Sequence, residues 1–380
     1  MASILDYLDW RGDLPFSAAP FNEIDGLILA EFGYIPLEGV VPGQFSIRQD
    51  LQGAWEKFDK TQVEEKMRIM SFEQDCSLFE KMAKSRRFSK TQLTGYVTRI
   101  NTETQTQFSA LTCLLEDGTT YISFRGTDGT IVGWKEDMNL SYMQETGSQS
   151  DARAYLNEHF RRHPRPIRVG GHSKGGNLAV YASAFCEHSI RGRIKEVQSY
   201  DGPGFREEII ETEEYGAVLG KVASFIPESS VVGMLLNNLA DHTIVKSSAS
   251  GIMQHLAYNW EVLGCHFVEA DALSKSGTLL NKALTGFISQ LNDEERRQLI
   301  ESFFGVLEAS DADTFREINK SKRTSYPAML RAVRHLTPDQ LRLFRNALIS
   351  MAKSGKDAVL GENVNELTVD RPVELEVVTE

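Results

Sequence analysis

The sequence has little of what marks secreted, membrane-spanning or nucleic-acid-binding proteins. It begins without a basic segment followed by an apolar run, and no apolar run approaches the length of a membrane span. Its formal net charge of −12 opposes binding to nucleic acid and to anionic membranes. We therefore expect a cytoplasmic protein that binds no nucleic acid and does not insert stably into a membrane.

Cysteine is also scarce. The 380 residues include four, Cys76, Cys113, Cys186 and Cys265. They are scattered without C-x-x-C spacing, which indicates neither a disulfide framework nor a metal site. We expect buried thiols, and no metal or cofactor.

Hydrophobic residues make up 41% of the chain, which is enough for one large domain plus an appendage. Residues 1–90 have a mainly helical pattern. Segments 93–97, 109–114 and 120–124 favour strands, and strand and helix then alternate to about residue 255. This alternation predicts an α/β fold, with a mostly parallel, doubly wound sheet and helices on both faces.

A G-x-S-x-G motif at residues 171–175 is the strongest local signal. It follows a short predicted strand at 166–169 and precedes a helix with small residues on one face. Gly171 and Gly175 would permit a sharp turn that presents Ser173 to a histidine base, which a serine hydroxyl needs to become nucleophilic. The pattern predicts a nucleophile elbow; the alternative is a glycine-rich turn with an incidental serine.

A second signal lies at the end of the strand predicted at 120–124. In an α/β-hydrolase, one backbone N–H of the oxyanion hole comes from the residue after the nucleophile and another from a loop after an earlier strand. Lys174 and Thr127 occupy these two positions, and Thr127 could add its hydroxyl. The alternative is a tight turn in which Arg125 forms a salt bridge with an acid such as Asp137.

These motifs are similar to those of lipase class 3, the fungal lipase-like group of α/β-hydrolases. The similarity consists of residues 124–127, Trp134, Asp137 and the predicted elbow at 171–176. The resemblance implies an α/β-hydrolase fold.

More closely, the chain resembles a bacterial α/β-hydrolase family known as Mbeg-like. The shared segments are residues 5–13, the elbow, 200–205 and 231–236, and the resemblance spans about residues 1–270. It implies a hydrolase domain over that range and a serine mechanism, but no particular substrate.

The base should be a histidine after the last strand, because the triad follows the order Ser, acid, His along the chain in this fold. Four histidines lie well beyond the elbow: His242, His255, His266 and His335. His255 follows the strand-like segment 243–246 and is the predicted base. His242 precedes that strand and would lie at the wrong end of a parallel sheet. His266 is the second candidate.

Two carboxylates are candidates for the acid. Lipase class 3 enzymes carry an aspartate in the segment that matches residues 224–233, where this chain has serine. Asp201, at the end of the preceding strand, is the favoured replacement, and Glu228 is the alternative. The competing interpretation is that Asp201 only begins a turn at 201–204, where aspartate bonds its own backbone.

An apolar run at 231–239 lies between the acid and the base. Its spacing favours a helix. Met234 and Leu235 would then belong to a lid or an acyl-binding wall, or the segment is an ordinary buried helix.

Beyond residue 270 the pattern changes to capped amphipathic helices. One begins at Asn292, with Leu299, Phe303 and Leu307 on one face. Another begins at Thr337, which is followed by proline at the first helical position. No catalytic cluster occurs among these helices.

Residues 271–354 are therefore predicted to form a helical appendage. It either packs on the core or provides an interface for oligomerisation. The acidic segment 355–380 lacks periodicity and is predicted to be disordered.

Together these residues predict a lipase- or esterase-like serine hydrolase that acts on a small-molecule acyl ester or a lipid. Ser173 would attack the carbonyl, His255 would remove the serine proton, and Asp201 would orient the imidazole. The N–H groups of Thr127 and Lys174 would bind the oxyanion. Thioester substrates remain open.

Two other functions remain open at this point. A degenerate hydrolase fold could serve as a binding module, since the lipase aspartate is missing. The C-terminal helices could also make the protein a scaffold.

Overall fold

The computed structural model describes residues 2–63, 71–347 and 349. Within these residues, eight strands form one sheet in which the spatial order equals the order along the chain. The strands are β1 (Gln49–Asp50), β2 (Gln92–Asn101), β3 (Thr106–Leu114), β4 (Thr120–Phe124), β5 (Ile167–His172), β6 (Ile194–Tyr200), β7 (Val222–Pro227) and β8 (His242–Val245). A separate antiparallel pair consists of β9 (Val262–Leu263) and β10 (His266–Phe267).

Helices precede, connect and follow these strands. Those before the elbow are α1 (Ile4–Arg11), α2 (Glu23–Phe32), α3 (Leu51–Lys57), α4 (Lys60–Val63), α5 (Phe72–Lys84), α6 (Ile131–Asn139) and α7 (Gly147–Phe160). Those after it are α8 (Lys174–Phe185), α9 (His188–Arg191), α10 (Glu207–Ile210), α11 (Glu213–Leu219), α12 (Lys275–Ser289), α13 (Asp293–Glu308), α14 (Phe315–Lys320) and α15 (Lys322–Arg334).

The sheet is mixed, with a parallel half that carries the candidate site residues. Strands β1 to β4 pair antiparallel, and β4 to β8 pair parallel. The four neighbouring parallel pairs share one carboxyl edge, where the loops after β4, β5, β6 and β8 meet. This is the edge at which open α/β sheets bind their ligands.

Side chains that alternate along each strand divide the core into two layers. Tyr121 of β4 packs with α1, α2 and α5 on one face, whereas Ile122 and Phe124 pack with α7 and α8 on the other. The predicted fold class, an α/β-hydrolase fold with a mostly parallel sheet and helices on both faces, is confirmed. Because the strand order never reverses, α7, α8 and α11 share one face, and the N-terminal helices cover the other.

The prediction of a helix for residues 231–239 is wrong, because this segment forms bends and turns. Contacts with distant strand ends fix its backbone. The N–H of Gly233 donates to the Asp201 carboxylate, and Asn237 exchanges two backbone hydrogen bonds with Phe205. Leu236 has a φ of 63°, which a helix does not allow.

The C-terminal helices pack against α6. Ile131 of α6 forms a small core with Ile300, Phe304 and Leu307 of α13. The buried face of α13 therefore keeps the predicted Leu307 but has positions 300 and 304 in place of 299 and 303, and Phe303 is 39% exposed. A 3.6-residue repeat fits both faces, and only the position of α6 distinguishes them.

Asn292 and Thr337 both form the predicted helix caps, and the helix after Thr337 covers residues 338–347. The expected disorder of 355–380 falls outside the described residues.

All four cysteines lie in the described residues and are free thiols. Cys76, Cys113 and Cys186 are buried, and Cys265 is half-buried. Burial raises the pKa of the Cys76 and Cys186 thiols to about 11, so both are protonated at neutral pH. In the part of the chain that the structure describes, no helix is long and apolar enough to span a membrane.

Candidate active site

Ser173 lies on a strained turn between β5 and α8. Its φ of 59° and ψ of −134° are unusual for a residue with a side chain. The backbone N–H of Ser173 still donates to the carbonyl of Tyr200 at 2.9 Å, which continues the ladder between β5 and β6. The serine is 8% exposed. The sheet therefore holds the serine in the conformation expected of a nucleophile elbow.

The two flanking glycines are required because β4 approaches the turn closely. A Cβ atom on Gly175 would lie 2.1 Å from the carbonyl oxygen of Phe124, and one on Gly171 would lie 2.4 Å from the same atom. Both distances are far below van der Waals contact. A side chain at either position would push β4 away from the elbow.

His255 and Asp201 meet at the carboxyl edge of the sheet. Asp201 directly follows β6, and His255 ends a 3₁₀ turn, Gly251–His255, that comes after β8. Nδ1 of His255 lies 2.5 Å from Oδ2 of Asp201. The His255 side chain is 23% exposed and the Asp201 side chain 1%. A buried carboxylate thus holds one nitrogen of a histidine that is still accessible.

The second oxygen of Asp201 is fixed by the loop that follows β7. Oδ1 accepts hydrogen bonds from the Ser230 hydroxyl at 2.5 Å and from the Gly233 N–H at 3.0 Å. Ser230 belongs to the segment in which the lipase resemblance places an aspartate. The serine in this segment thus supports a carboxylate that comes from the neighbouring strand.

The other candidate residues have different partners. Glu228 contributes backbone hydrogen bonds to Val245 and Ser274, and it is Asp201 that contacts His255. Nδ1 of His242 lies 2.9 Å from the Ser224 hydroxyl, away from the carboxyl end of β7. Burial lowers the pKa of His242. His266, in β10, lies 3.4 Å from Glu23, and its side chain is 69% exposed.

The loop after β4 runs directly beside the elbow. A Cβ atom on Gly126 would lie 3.1 Å from Cβ of Ser173. The hydroxyl of Thr127 donates to Oδ2 of Asp137, in α6, at 2.6 Å. Arg125 pairs with Asp128 at 3.3 Å, so the alternative salt bridge to Asp137 does not form.

Asp137 is the most perturbed acid near the elbow. Burial raises its pKa to about 6, although the nearby positive charge of Lys174 and the hydrogen bond from Thr127 oppose the increase. His255 is also close enough to lower this pKa electrostatically. A carboxyl group that titrates close to neutral pH therefore adjoins both predicted oxyanion residues.

Lys174 connects the elbow to α6 through its side chain. Nζ donates to the backbone oxygen of Gln107, to its side-chain oxygen and to Oε2 of Glu136, each at 2.8 Å. Glu136 also accepts N–H bonds from Gln107 and Ser148. This fully buried network fixes the first turn of α8 relative to the helix that carries Asp137.

Met234 and Leu235 are both half-buried in the irregular loop. Leu235 lines a cavity of about 590 Å³ between this loop and the C-terminal helices, together with Ile288 and Leu291. Arg206 lies in the same wall. The assignment of Met234 and Leu235 to a lid or acyl-binding wall stays a prediction.

Sequence reasoning missed several side chains that support this site: Glu31, Tyr34, Glu136 and Ser230. Glu31 carried a usable signal, because it is a carboxylate next to the apolar run of α2; the structure shows it completely buried. Glu136 carried none, because its partners are distant in the sequence, and Ser230 carried only its place in the segment where the resemblance expects an aspartate.

Comparison with solved structures gives distant similarities. The crystal structure of M37 lipase is 14% identical and has a TM-score of 0.36, with 57% of this chain and 70% of that chain covered. The Rhizomucor miehei lipase propeptide complex is 15% identical with a TM-score of 0.29, over 40% of this chain and 57% of that one. Similarity at this level supports no statement about activity. No curated protein matches the chain.

A family model gives a clearer result. The model described as Mbeg1-like matches residues 82–305, which is more than half of the chain and includes Ser173, Asp201 and His255. The match extends beyond the predicted limit of residue 270 and begins at residue 82, near the end of α5, rather than at residue 1. This chain belongs to the Mbeg1-like family.

Proposed function

We propose that this protein is a serine hydrolase that cleaves carboxylic esters through an acyl-enzyme on Ser173. One observation carries the proposal: His255 makes a 2.5 Å contact with the buried Asp201, on the sheet edge where the strained Ser173 turn also lies. A histidine oriented by a buried carboxylate is the arrangement that activates a serine hydroxyl.

In the proposed reaction, Oγ of Ser173 attacks the ester carbonyl while its proton moves to Nε2 of His255. Asp201 holds Nδ1–H and stabilises the imidazolium that forms. His255 then returns the proton to the departing alcohol, and the acyl group stays on Ser173. A water molecule, deprotonated by His255, releases the acid and restores the serine.

Two donors are proposed to bind the oxyanion: the N–H groups of Lys174 and Thr127. Each such donor stabilises a transition state by roughly 3 kcal/mol in serine hydrolases. Support comes from the position of the loop, because Gly126 adjoins Ser173. Asp137 would keep the Thr127 side chain in one rotamer through their 2.6 Å hydrogen bond.

The proposed substrate class is a carboxylic ester with an apolar acyl group, such as an acylglycerol or a phospholipid. Apolar side chains occur next to the site residues in sequence and are exposed. Met138 follows Asp137 and is 48% exposed, and Ile252 and Met253 precede His255 and are 66% and 40% exposed. Met234 and Leu235 would provide further acyl contacts. We propose a cytoplasmic location, which the four free thiols favour because reducing compartments preserve them.

A second candidate function is a binding module that has kept the hydrolase fold without turnover. The 8% exposure of Ser173 favours it, because a substrate carbonyl must reach the hydroxyl. Under this hypothesis the Asp201–His255 pair is only structural.

Labelling with a fluorophosphonate probe separates the two functions. We expect stoichiometric modification of wild-type Ser173, loss in Ser173→Ala and His255→Ala, and retention in His242→Ala, the matched histidine control. A folded wild-type protein that never reacts would contradict the hydrolase proposal and favour the binding module.

A further inference from the structure

The residue before the nucleophile, His172, has a partner on each ring nitrogen. Nε2 lies 2.8 Å from the backbone oxygen of His255. Nδ1 lies 3.2 Å from Oε1 of Glu31 and 3.2 Å from the Tyr34 hydroxyl. His172 is 1% exposed and Glu31 0%, so water does not compete for these contacts.

The chemistry of the partners restricts where the protons lie. A backbone carbonyl only accepts hydrogen bonds, so Nε2 of His172 must carry a proton. At Nδ1, an ionised Glu31 can only accept a hydrogen bond, so the ring must carry a second proton there. A neutral Glu31 would instead donate its own proton to Nδ1. When the single Tyr34 hydroxyl proton goes to the backbone oxygen of His172, one proton lies between Glu31 and His172; when it goes to Nδ1, none does. The Tyr34 hydroxyl also reaches the backbone oxygen of His172, at 3.2 Å.

This arrangement fixes the backbone of the proposed general base. The His255 carbonyl is held by His172, and the carbonyl of the preceding Gln254 accepts from the indole N–H of Trp260 at 2.8 Å. The rings of His172 and His255 are tilted by 33° to each other, with centroids 4.6 Å apart. Nδ1 of His255 contacts Asp201, and Asp137 also lies near His255.

We propose that Glu31 and His172 form a buried proton-sharing pair that positions His255. The proposal rests on the proposed function, because it assigns the pair to the base of that reaction. One proton is shared between Glu31 and Nδ1 and a second stays on Nε2, so Nε2–H is the fixed donor to the His255 carbonyl. His172 is thus a positioning residue that acts through His255.

Two substitutions of similar shape test the two ring nitrogens of His172 one at a time. In His172→Gln the amide nitrogen takes the place of Nε2, so the bond to the His255 carbonyl is kept. In His172→Asn the amide nitrogen takes the place of Nδ1, and that bond is lost. We expect the glutamine variant to keep most of the fluorophosphonate labelling rate and the asparagine variant to lose on the order of tenfold to hundredfold, as misplaced catalytic groups do. Equal rates in two folded variants would overturn the proposal.

The shared proton can be observed directly in the wild-type protein. With ¹⁵N-labelled histidine, we expect NMR spectra at pH 8 to show protons bound to Nε2 of His172 and between Nδ1 and Glu31. In Glu31→Gln the side-chain amide can donate to Nδ1, so the Nδ1 signal should change to that of a neutral ring protonated on Nε2. A wild-type His172 that carries no proton on Nε2, or that shares none with Glu31 at Nδ1, would overturn the proposal.

Asp25→Asn is the matched control for Glu31→Gln. Asp25 is an equally buried carboxylate on the same helix, but it pairs with Arg87 and Tyr7. We expect this variant to unfold at lower temperature without a change in the His172 spectrum. If wild-type Ser173 never labels, the proposed function fails, whereas the NMR measurement still decides whether the pair exists.

Discussion

The carboxylate of Asp201 lies 2.5 Å from Nδ1 of His255, although the two residues are 54 positions apart in the chain. β6 ends immediately before Asp201, and β8 leads into the turn that ends at His255. Parallel strands bring their carboxyl ends to one edge, so the topology of the sheet creates this contact. Because this Asp201–His255 contact is short and the carboxylate is buried, single substitutions can test whether it is needed for catalysis.

Asp201→Asn should abolish most of the activity without unfolding the protein. Asparagine fills the same volume but favours the wrong histidine tautomer, and the equivalent change in serine proteases lowers kcat by roughly 10⁴-fold. The measurement is the rate of fluorophosphonate labelling in Asp201→Asn, with Glu228→Gln as the control that retains the wild-type rate. The opposite ranking of the two variants would make Glu228 the functional acid.

Gly175→Ala should destabilise the protein by about 1–3 kcal/mol, because the added methyl group meets the Phe124 carbonyl at 2.1 Å. The control is Gly216→Ala in α11, where a Cβ atom would have no neighbour within 4 Å. That variant should be neutral or slightly more stable, because alanine favours helix. Urea unfolding measures both. Equal free energies of unfolding for the two variants would mean that β4 does not approach Gly175 as closely as the structure shows.

Asp137→Asn should change how stability depends on pH. Burial raises the Asp137 pKa from 3.8 to about 6, so the folded protein binds more protons than the unfolded chain between these values. The stability contributed by protonated Asp137 is complete below pH 4 and is lost as pH rises through about 6.

The asparagine variant lacks this titration. The wild-type free energy of unfolding should therefore fall relative to that of the variant, by on the order of 2 kcal/mol between pH 4 and pH 7. Urea titrations at both pH values provide the measurement. A difference between the two proteins that is the same at pH 4 and pH 7 would contradict the assignment.

Phe304→Ala should weaken both the C-terminal packing and the site. Phe304 is 1% exposed and packs on Ile131 of α6, the helix that carries Glu136 and Asp137. Truncation of a buried phenylalanine costs about 3–5 kcal/mol. The adjacent Phe303 is 39% exposed, so Phe303→Ala is the matched control and should have a much smaller effect.

Thermal unfolding and the labelling rate of Ser173 together test this coupling. We expect Phe304→Ala to lower both. A lower melting temperature with an unchanged labelling rate would show that α13 stabilises α6 without influencing the loop after β4 that contains Thr127.

Local patterns in the sequence predicted the strands and the elbow because their causes are local. Apolar residues define β4 and β5, and the glycines of the motif reflect the close approach of β4. The order Ser, acid, His also identified His255 and Asp201 as candidates, since a parallel sheet places successive strand ends side by side. These features follow from sequence periodicity and topology.

Contacts between distant segments account for what the sequence did not predict. The run 231–239 has helical spacing, but Asp201 and Phe205 hold its backbone in an irregular path. The sequence assigned only the N–H of Lys174 a role, in the oxyanion hole, and only the fold shows that Glu136 pairs with its side chain in the core. The pairing of Glu31 with His172 likewise depends on how α2 packs against β5.

The most direct test of the account is detection of an acyl-enzyme. The protein would be incubated with a short-chain p-nitrophenyl ester, quenched in acid within the first turnover and analysed by peptide mass spectrometry. We predict an acyl group on Ser173 that forms with the release of p-nitrophenol and is absent from Ser173→Ala. Ester turnover that persists in Ser173→Ala, or a wild-type protein that neither turns over the ester nor becomes acylated, would contradict the account.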